Sequence, residues 1–235
     1  MQQNKTALIT GASQGLGYQL AERLAQKGWN LIITARNPEE LFSARKRLSE
    51  FTEILAIAGD VRDEIHLLDL VETIKVSKWK LDVVVNNASA LGISPLKRIL
   101  EHPVENLHVV FHTNIIAPIS LLQKIKPLLN AGAKIINVSS DAAVEAYEAW
   151  GAYSGSKAGL DHITNILGKE NPNYYFYSFD PGDMRTAMHQ AAYPDEDISD
   201  RPQPKEYAVP ALIELIESQL TNGRYTIHSF KKEVA

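Results

Sequence analysis

Thr10-Gly11-Ala12-Ser13-Gln14-Gly15-Leu16-Gly17 is the stretch on which the reading of this chain turns. It comes directly after the apolar run Ala7-Leu8-Ile9 and opens a segment in which Leu16, Leu20 and Leu24 recur every four residues up to Gly28. That recurrence lays one face of a helix on a core, and a glycine just past the last turn is a C-terminal cap. The quoted residues therefore form a strand-to-helix turn. Three of them lack Cβ, so backbone N–H groups can come close to an anion while the positive end of the helix dipole stabilises its charge. A pyrophosphate suits such a turn. Glycine spacing alone also occurs in plain strand-helix turns, and it is the flanking strand and amphipathic helix that supply the required context.

Outward from this turn the pattern repeats. Apolar runs stand at Ala7–Thr10, Leu31–Ala35, Ile54–Ala58, Leu81–Val85, Lys134–Val138 and Tyr174–Phe179. Their apolar character is continuous, which means burial on both faces. Segments of helical period lie between them at about 39–50, 63–76, 103–130, 150–169 and 205–221, and a short strand near Tyr225–His228 closes the chain. Strand-helix alternation with right-handed crossovers predicts an α/β fold: one doubly wound parallel sheet of about seven strands, helices on both faces, in a single domain over residues 1–235. Residues 183–204 are rich in Pro, Asp and Ala and too long for an ordinary connection, so they read as a candidate substrate lid.

The bulk composition excludes several classes. At 235 residues, 45% hydrophobic and 22% charged, the chain has the make-up of a globular domain. With 24 basic against 28 acidic side chains and no long basic run, nucleic acid is not an expected partner. Cysteine is absent, which removes disulfides and thiolate chemistry. No apolar stretch approaches a membrane span and no signal-peptide core follows Met1, so a cytoplasmic location is expected.

Further residues stand in a telling order. Asp60-Val61 follows the third strand, Asn86-Asn87-Ala88 the fourth, and Asn114 lies within the long helical segment. Ser140 ends the fifth strand, Tyr153 and Lys157 form Tyr-x-x-x-Lys, and Pro181-Gly182 with Thr186 follows the sixth. Together with the Gly-x-x-x-Gly-x-Gly turn, these seven ordered matches resemble the short-chain dehydrogenase/reductase family over about residues 5–190. One departure is visible: Ser89 stands where the family's Asn-Asn-Ala-Gly has glycine. The resemblance implies an NADP(H)-dependent oxidoreductase with a Rossmann-like fold. It implies cofactor contacts from Gly11, Ser13, Gln14, Gly15, Leu16, Gly17, Arg36, Asp60, Val61, Asn87, Ala88, Tyr153, Lys157, Pro181, Gly182 and Thr186. It further implies that Ser140 holds the substrate oxygen, that Lys157 meets the nicotinamide ribose, and that Asn114 holds a water on the proton path, with a homodimer or homotetramer as the assembly.

The chemistry is readable from the residues as well. Tyr153 and Lys157 are four apart on a helix and project from one face. An ammonium beside a phenol favours the phenolate and brings it toward working range. A carbonyl carbon that receives hydride leaves an alkoxide that a positioned acid must protonate. Tyr153 is that acid, and the base in the oxidation direction. Ala35 stands where NAD-dependent relatives carry an aspartate, and Arg36 offers a planar fork to a 2′-phosphate, so NADP is expected over NAD.

Other readings stay beside this one. A nucleotide-binding regulatory protein without turnover can use the same fold, although it has no need of the phenol. A longer sugar-nucleotide epimerase would need more chain after Pro181. His108, His112 and Glu105, or Asp195-Glu196-Asp197 with Asp200, do not make a recognisable metal motif, and no metal is expected. The substrate pocket is expected from residues 90–96, 142–150 and 183–204, with Tyr147, Trp150, Met184 and Met188 suiting a moderately apolar carbonyl or alcohol. Ile115, Ile116, Ile119, Leu121 and Leu122 are the expected pairing residues.

Overall fold

The computed structural model describes residues 4–230. Met1–Gln3, part of the start read as leaderless, and residues 231–235 lie outside that range. Seven strands, β1 (Thr6–Thr10), β2 (Asn30–Ala35), β3 (Ile54–Ala58), β4 (Leu81–Asn86), β5 (Leu129–Val138), β6 (Tyr175–Asp180) and β7 (Gly223–Thr226), form one sheet in the order β3-β2-β1-β4-β5-β6-β7. Every pairing is parallel. The order reverses between β1 and β4, and the crevice outside the strand ends at such a switch point is where ligands bind in this architecture.

Alternation along each strand divides the core in two. Ile9, Ile33, Val85 and Ile136 face α1 (Gly15–Gln26), α2 (Pro38–Leu48) and α8 (Pro204–Glu217). Leu8, Ile32, Val84 and Ile135 face α3 (Glu64–Ser77) and α5 (Ala117–Ile125). The continuous apolar runs are thus buried on both sides, as expected for a sheet with helices on both faces.

Three elements differ from the sequence reading. The segment read as one helix over 103–130 is α4 (Val104–Phe111), a π turn (His112–Ile116), α5, and a 3₁₀ turn (Lys126–Leu128) leading into β5. Pro118 explains the widened register: it has no N–H to give to the Asn114 carbonyl four residues back. Leu121 and Leu122, expected on a pairing face, are core residues, while Ile116 is 53% exposed. Residues 183–204 are also less irregular than expected. They include α7 (Ala187–Ala192), and the Arg185 N–H donates to the Pro202 carbonyl at 2.9 Å, closing the loop on itself. The final strand ends at Thr226, and Ile227–Phe230 is a 3₁₀ turn. Between β5 and β6, α6 (Gly151–Glu170) precedes the last two strands and carries the reactive pair.

Candidate active site

The glycine turn is shaped by backbone conformation and by one asparagine. Gly11 and Gly15 have φ of +66° and +57°, a region that L side chains rarely adopt. A Cβ on Gly11 would meet Asn87 Nδ2 at 2.9 Å, and one on Gly17 would meet the Gly11 carbonyl at 2.5 Å. Asn87 fills that space productively: its Nδ2 donates to the carbonyls of Thr10 and Gly11 at 2.9 and 3.0 Å. The Thr10 hydroxyl accepts from the N–H groups of both Asn87 and Ala88 at 3.0 Å, a role the sequence reading missed. Asn86 instead turns inward, donating to Asn137 Oδ1 at 2.7 Å. Leu16 and Val61 are buried supports, and Gln14 is exposed at the start of α1 without capping it.

At the adenosine end, Arg36 is exposed just past β2. Asp60 is held by Arg62 through both carboxylate oxygens and through the Arg62 N–H at 2.9 Å. That guanidinium lowers the Asp60 pKa below the ordinary carboxylate value. Unforeseen is Glu40, whose Oε2 accepts from the Ser13 hydroxyl at 3.3 Å. Across the turn, the Thr186 methyl is the nearest heavy atom to a Cβ on Gly15, at 3.9 Å, so the space above Gly15 is open. Gly182 has φ of +65° and donates its N–H to Asp180 Oδ1 at 2.9 Å, fixing the Pro181-Gly182 turn. An open, Cβ-free cradle at a helix start fits a dinucleotide pyrophosphate.

At the chemical end, Tyr153 and Lys157 are buried on one face of α6. Lys157 Nζ lies 5.5 Å from the Tyr153 ring centroid and donates to the Val138 carbonyl at 2.7 Å. Burial pulls the lysine down to about 8, with Asp161 one turn away opposing that shift. Burial also pushes the phenol well above its ordinary value, and Asp141 and Asp180 add to this. The groups that draw it back are the Ser89 and Ser140 hydroxyls. This departs from the expectation that Lys157 sets the phenol: desolvation of both groups outweighs it, and the serines supply the downward pull.

Ser140 donates to Asp141 Oδ1 at 2.8 Å, and the Tyr147 hydroxyl donates to the other Asp141 oxygen at 2.9 Å. Ser139 is buried and faces away from this cluster's hydrogen bonds. Asn114 uses its whole amide on protein groups: Oδ1 accepts from Ser89 and Ala90, and Nδ2 donates to the Ala90 carbonyl and Ser156. Pro118 offers no N–H to the Asn114 backbone carbonyl, so that carbonyl rather than the side chain is the candidate for the water expected of it. Arg224 on β7 was not anticipated. It reaches the Ser140 carbonyl at 2.8 Å, Asp180 at 2.9 Å and Asp161 at 3.1 Å.

Over this pair lies an apolar wall. Leu91, Ala142, Tyr153 and Ala192 form a cluster of their own, with Trp150 edge-on to Tyr153 at 5.8 Å and tilted against Tyr193 at 6.0 Å. Met184 packs in the main core rather than in this wall. Arg185, Thr186, Gln190, Asp197 and Ile198 border a cavity of about 340 Å³ in the 183–204 segment. Asp197 is tied to Ser199 and Asp200 to Arg201, and among the described residues no group of three or more His, Cys, Asp or Glu could hold a metal.

The family model for short chain dehydrogenase matches residues 5–197. This chain belongs to the short-chain dehydrogenase/reductase family. Among its relatives in that family, a diacetyl reductase ((S)-acetoin forming) of Staphylococcus epidermidis is 31% identical over 228 residues, 94% of this chain and 86% of the relative. A benzil reductase ((S)-benzoin forming) of Saccharomyces cerevisiae is 33% identical over 72% of this chain and 66% of the relative. A solved short chain dehydrogenase of Shigella flexneri 2a, complexed with NADP, superposes with a TM-score of 0.89 at 26% identity, covering 95% of this chain and 97% of that one. Among the described residues of this short-chain dehydrogenase/reductase, no helix is long and apolar enough to cross a membrane.

Proposed function

We propose that this protein is an NADP(H)-dependent carbonyl reductase in which Tyr153 is the general acid. The observation that carries the reading is the buried phenol of Tyr153, held protonated by desolvation beside Lys157 and flanked by two serine hydroxyls. The NADP-bound neighbour and the absence of a carboxylate at Ala35, with Arg36 next to it, support NADP over NAD. Glu40 beside Ser13 opposes that preference and tempers it.

The backbone of Gly11 to Gly17, with Thr186 opposite, would hold the pyrophosphate; Asp60 and Val61 would hold the adenine; Asn87, Ala88, Pro181 and Gly182 would line the nicotinamide end. When bound, NADPH supplies a hydride to the carbonyl carbon. Ser140 turns its hydroxyl from Asp141 to the carbonyl oxygen and holds it beside Tyr153. Tyr153 gives its proton to that oxygen as charge builds there. The Lys157 ammonium stabilises the phenolate that remains, and a water on the Asn114 carbonyl restores the proton. Trp150, Tyr193 and Ala192 keep bulk water from the phenol, so residues 183–204 act as the substrate lid.

Residues 1–235 are read as one domain, in the cytoplasm, pairing as a homodimer or homotetramer through exposed Phe111 and Ile116; sedimentation at micromolar concentration tests the pairing. The diacetyl and benzil reductases both take vicinal diketones by name, and the apolar aromatic wall suits that class. NADPH oxidation should therefore be measured with diacetyl, benzil, simple ketones and aldehydes. Turnover of vicinal diketones above the others supports the reading, and no turnover of any carbonyl overturns it.

A further inference from the structure

The last strand carries a residue that ties the reactive groups together. Arg224 extends from β7 across the end of β6, and its guanidinium meets three segments at once. Nη2 donates to the Ser140 carbonyl at 2.8 Å, 84 residues away in sequence, and to Asp180 Oδ2 at 2.9 Å. Nε donates to Asp161 Oδ2 at 3.1 Å. The other oxygen of Asp180 accepts from the Gly182 N–H at 2.9 Å, and Asp161 sits one helical turn beyond Lys157. The turn that presents Ser140, the helix that presents Tyr153 and Lys157, and the Pro181-Gly182 turn therefore share one planar cation.

We propose that Arg224 is a positioning residue for the proton-transfer step: it fixes Ser140 relative to Tyr153 and neutralises the carboxylates of Asp161 and Asp180 behind the Tyr153–Lys157 pair.

Two physical arguments support this. Asp161 and Asp180 are both buried, and a buried carboxylate without a cation is costly, so one fork that pairs both keeps two negative charges out of the field of the phenol. The second is geometric. Ser140 lies in a short turn, and a donor on its carbonyl restricts where its hydroxyl can stand. Errors of about 1 Å in such placement cost on the order of a hundred-fold in rate. A lysine keeps the charge but has no planar fork and cannot reproduce all three contacts.

The charged and titratable groups around the pair are Tyr153 and Asp161 on α6, Asp141 in the turn after β5, Asp180 at the end of β6, and Arg224 on β7. Loss of the guanidinium leaves the Asp161 carboxylate acting on Lys157 unopposed. The ammonium then persists to higher pH, and the basic limb of carbonyl reduction moves up.

This inference rests on the carbonyl-reductase reading, so the experiment separates the two. Arg224→Met and Arg224→Lys are compared with wild type and Tyr153→Phe in the full chain, measuring melting temperature, NADPH affinity by fluorescence, kcat, KM and the pH profile. Arg224→Met should lower kcat by about ten- to a hundred-fold, leave NADPH affinity within about three-fold, and move the basic limb up by roughly one unit. Arg224→Lys should leave the limb in place yet still lose several-fold in kcat. A kcat per folded molecule equal to wild type in both variants, or an unmoved limb in Arg224→Met, would overturn the proposal even with Tyr153→Phe inactive. If Arg224→Met does not fold, the kcat of Arg224→Lys decides: reduced supports the proposal, unchanged overturns it. Wild type and Tyr153→Phe turning over alike would overturn the carbonyl-reductase reading itself, and with it the step that Arg224 is proposed to serve.

Discussion

The Ser89 hydroxyl donates to the Asn114 side-chain oxygen at 3.0 Å and also reaches the Tyr153 phenol, whose pKa it draws down. A glycine at this position would leave Asn114 with its backbone partner Ala90 but would remove the hydroxyl that draws the phenol's pKa down. Ser89→Gly should therefore raise the Tyr153 pKa further and hinder the direction that needs the phenolate. Alcohol oxidation measured against pH should show its rising limb displaced upward by about one unit, the equivalent of roughly 1.4 kcal/mol. A limb that stays in place would mean that Ser89 only packs.

The Lys157 ammonium is lowered from its ordinary value to about 8, so it is present below that pH and is lost as pH rises through it. The phenol is shifted the other way and stays protonated across the neutral range. Carbonyl reduction needs both protons in place, so its kcat should be flat through neutrality and fall above about pH 8. Oxidation, which needs the phenolate, should rise only at higher pH, because the phenol titrates above its ordinary value. Steady-state profiles in the two directions check this, and a reduction rate that climbs above pH 8 would contradict it.

Gly11 and Gly28 both have positive φ, +66° and +77°, but only Gly11 is crowded. A Cβ at Gly11 meets Asn87 Nδ2 at 2.9 Å and Ala88 Cα at 3.0 Å, whereas at Gly28 nothing lies within 4 Å. Gly28→Ala should cost about 1–2 kcal/mol from backbone strain alone. Gly11→Ala adds overpacking of about 1–3 kcal/mol and should abolish NADPH binding as well. Thermal unfolding and cofactor titration of the two variants give the comparison.

The same contrast explains what was legible in the sequence. Elements set by local pattern came through: the glycine turn, six of the apolar strands, and the Tyr153–Lys157 spacing on one helical face. The π turn at His112–Ile116 was not legible, because a register change leaves the apolar periodicity of the segment almost unaltered. Arg224 was invisible for another reason. Its partners are brought to it by the β6–β7 pairing, and a charged residue in a short terminal strand reads as solvated until that pairing is known. Glu40 likewise reads as an ordinary first-turn acid of α2, and only the fold places it against Ser13.

Arg36 and Glu40 make opposed predictions about the cofactor. Arg36→Ala should reduce the kcat/KM preference for NADPH over NADH by about ten- to a hundred-fold, the worth of a charge-assisted hydrogen bond of roughly 1.5–3 kcal/mol. Glu40→Gln removes a negative charge beside Ser13 and should increase the preference. If wild type uses the two cofactors equally, or if the preference survives loss of the guanidinium, Arg36 is not the selector.

The central claim is that the buried Tyr153 phenol supplies the proton. Phenylalanine keeps the ring against Trp150 and Ala142 and removes only the hydroxyl, so the variant should fold and bind NADPH within several-fold of wild type. Single-turnover reduction of a carbonyl by Tyr153→Phe loaded with NADPH is the most direct measurement. The account predicts a rate lower by at least about a hundred-fold, as expected for loss of a general acid. A rate near that of wild type would contradict it.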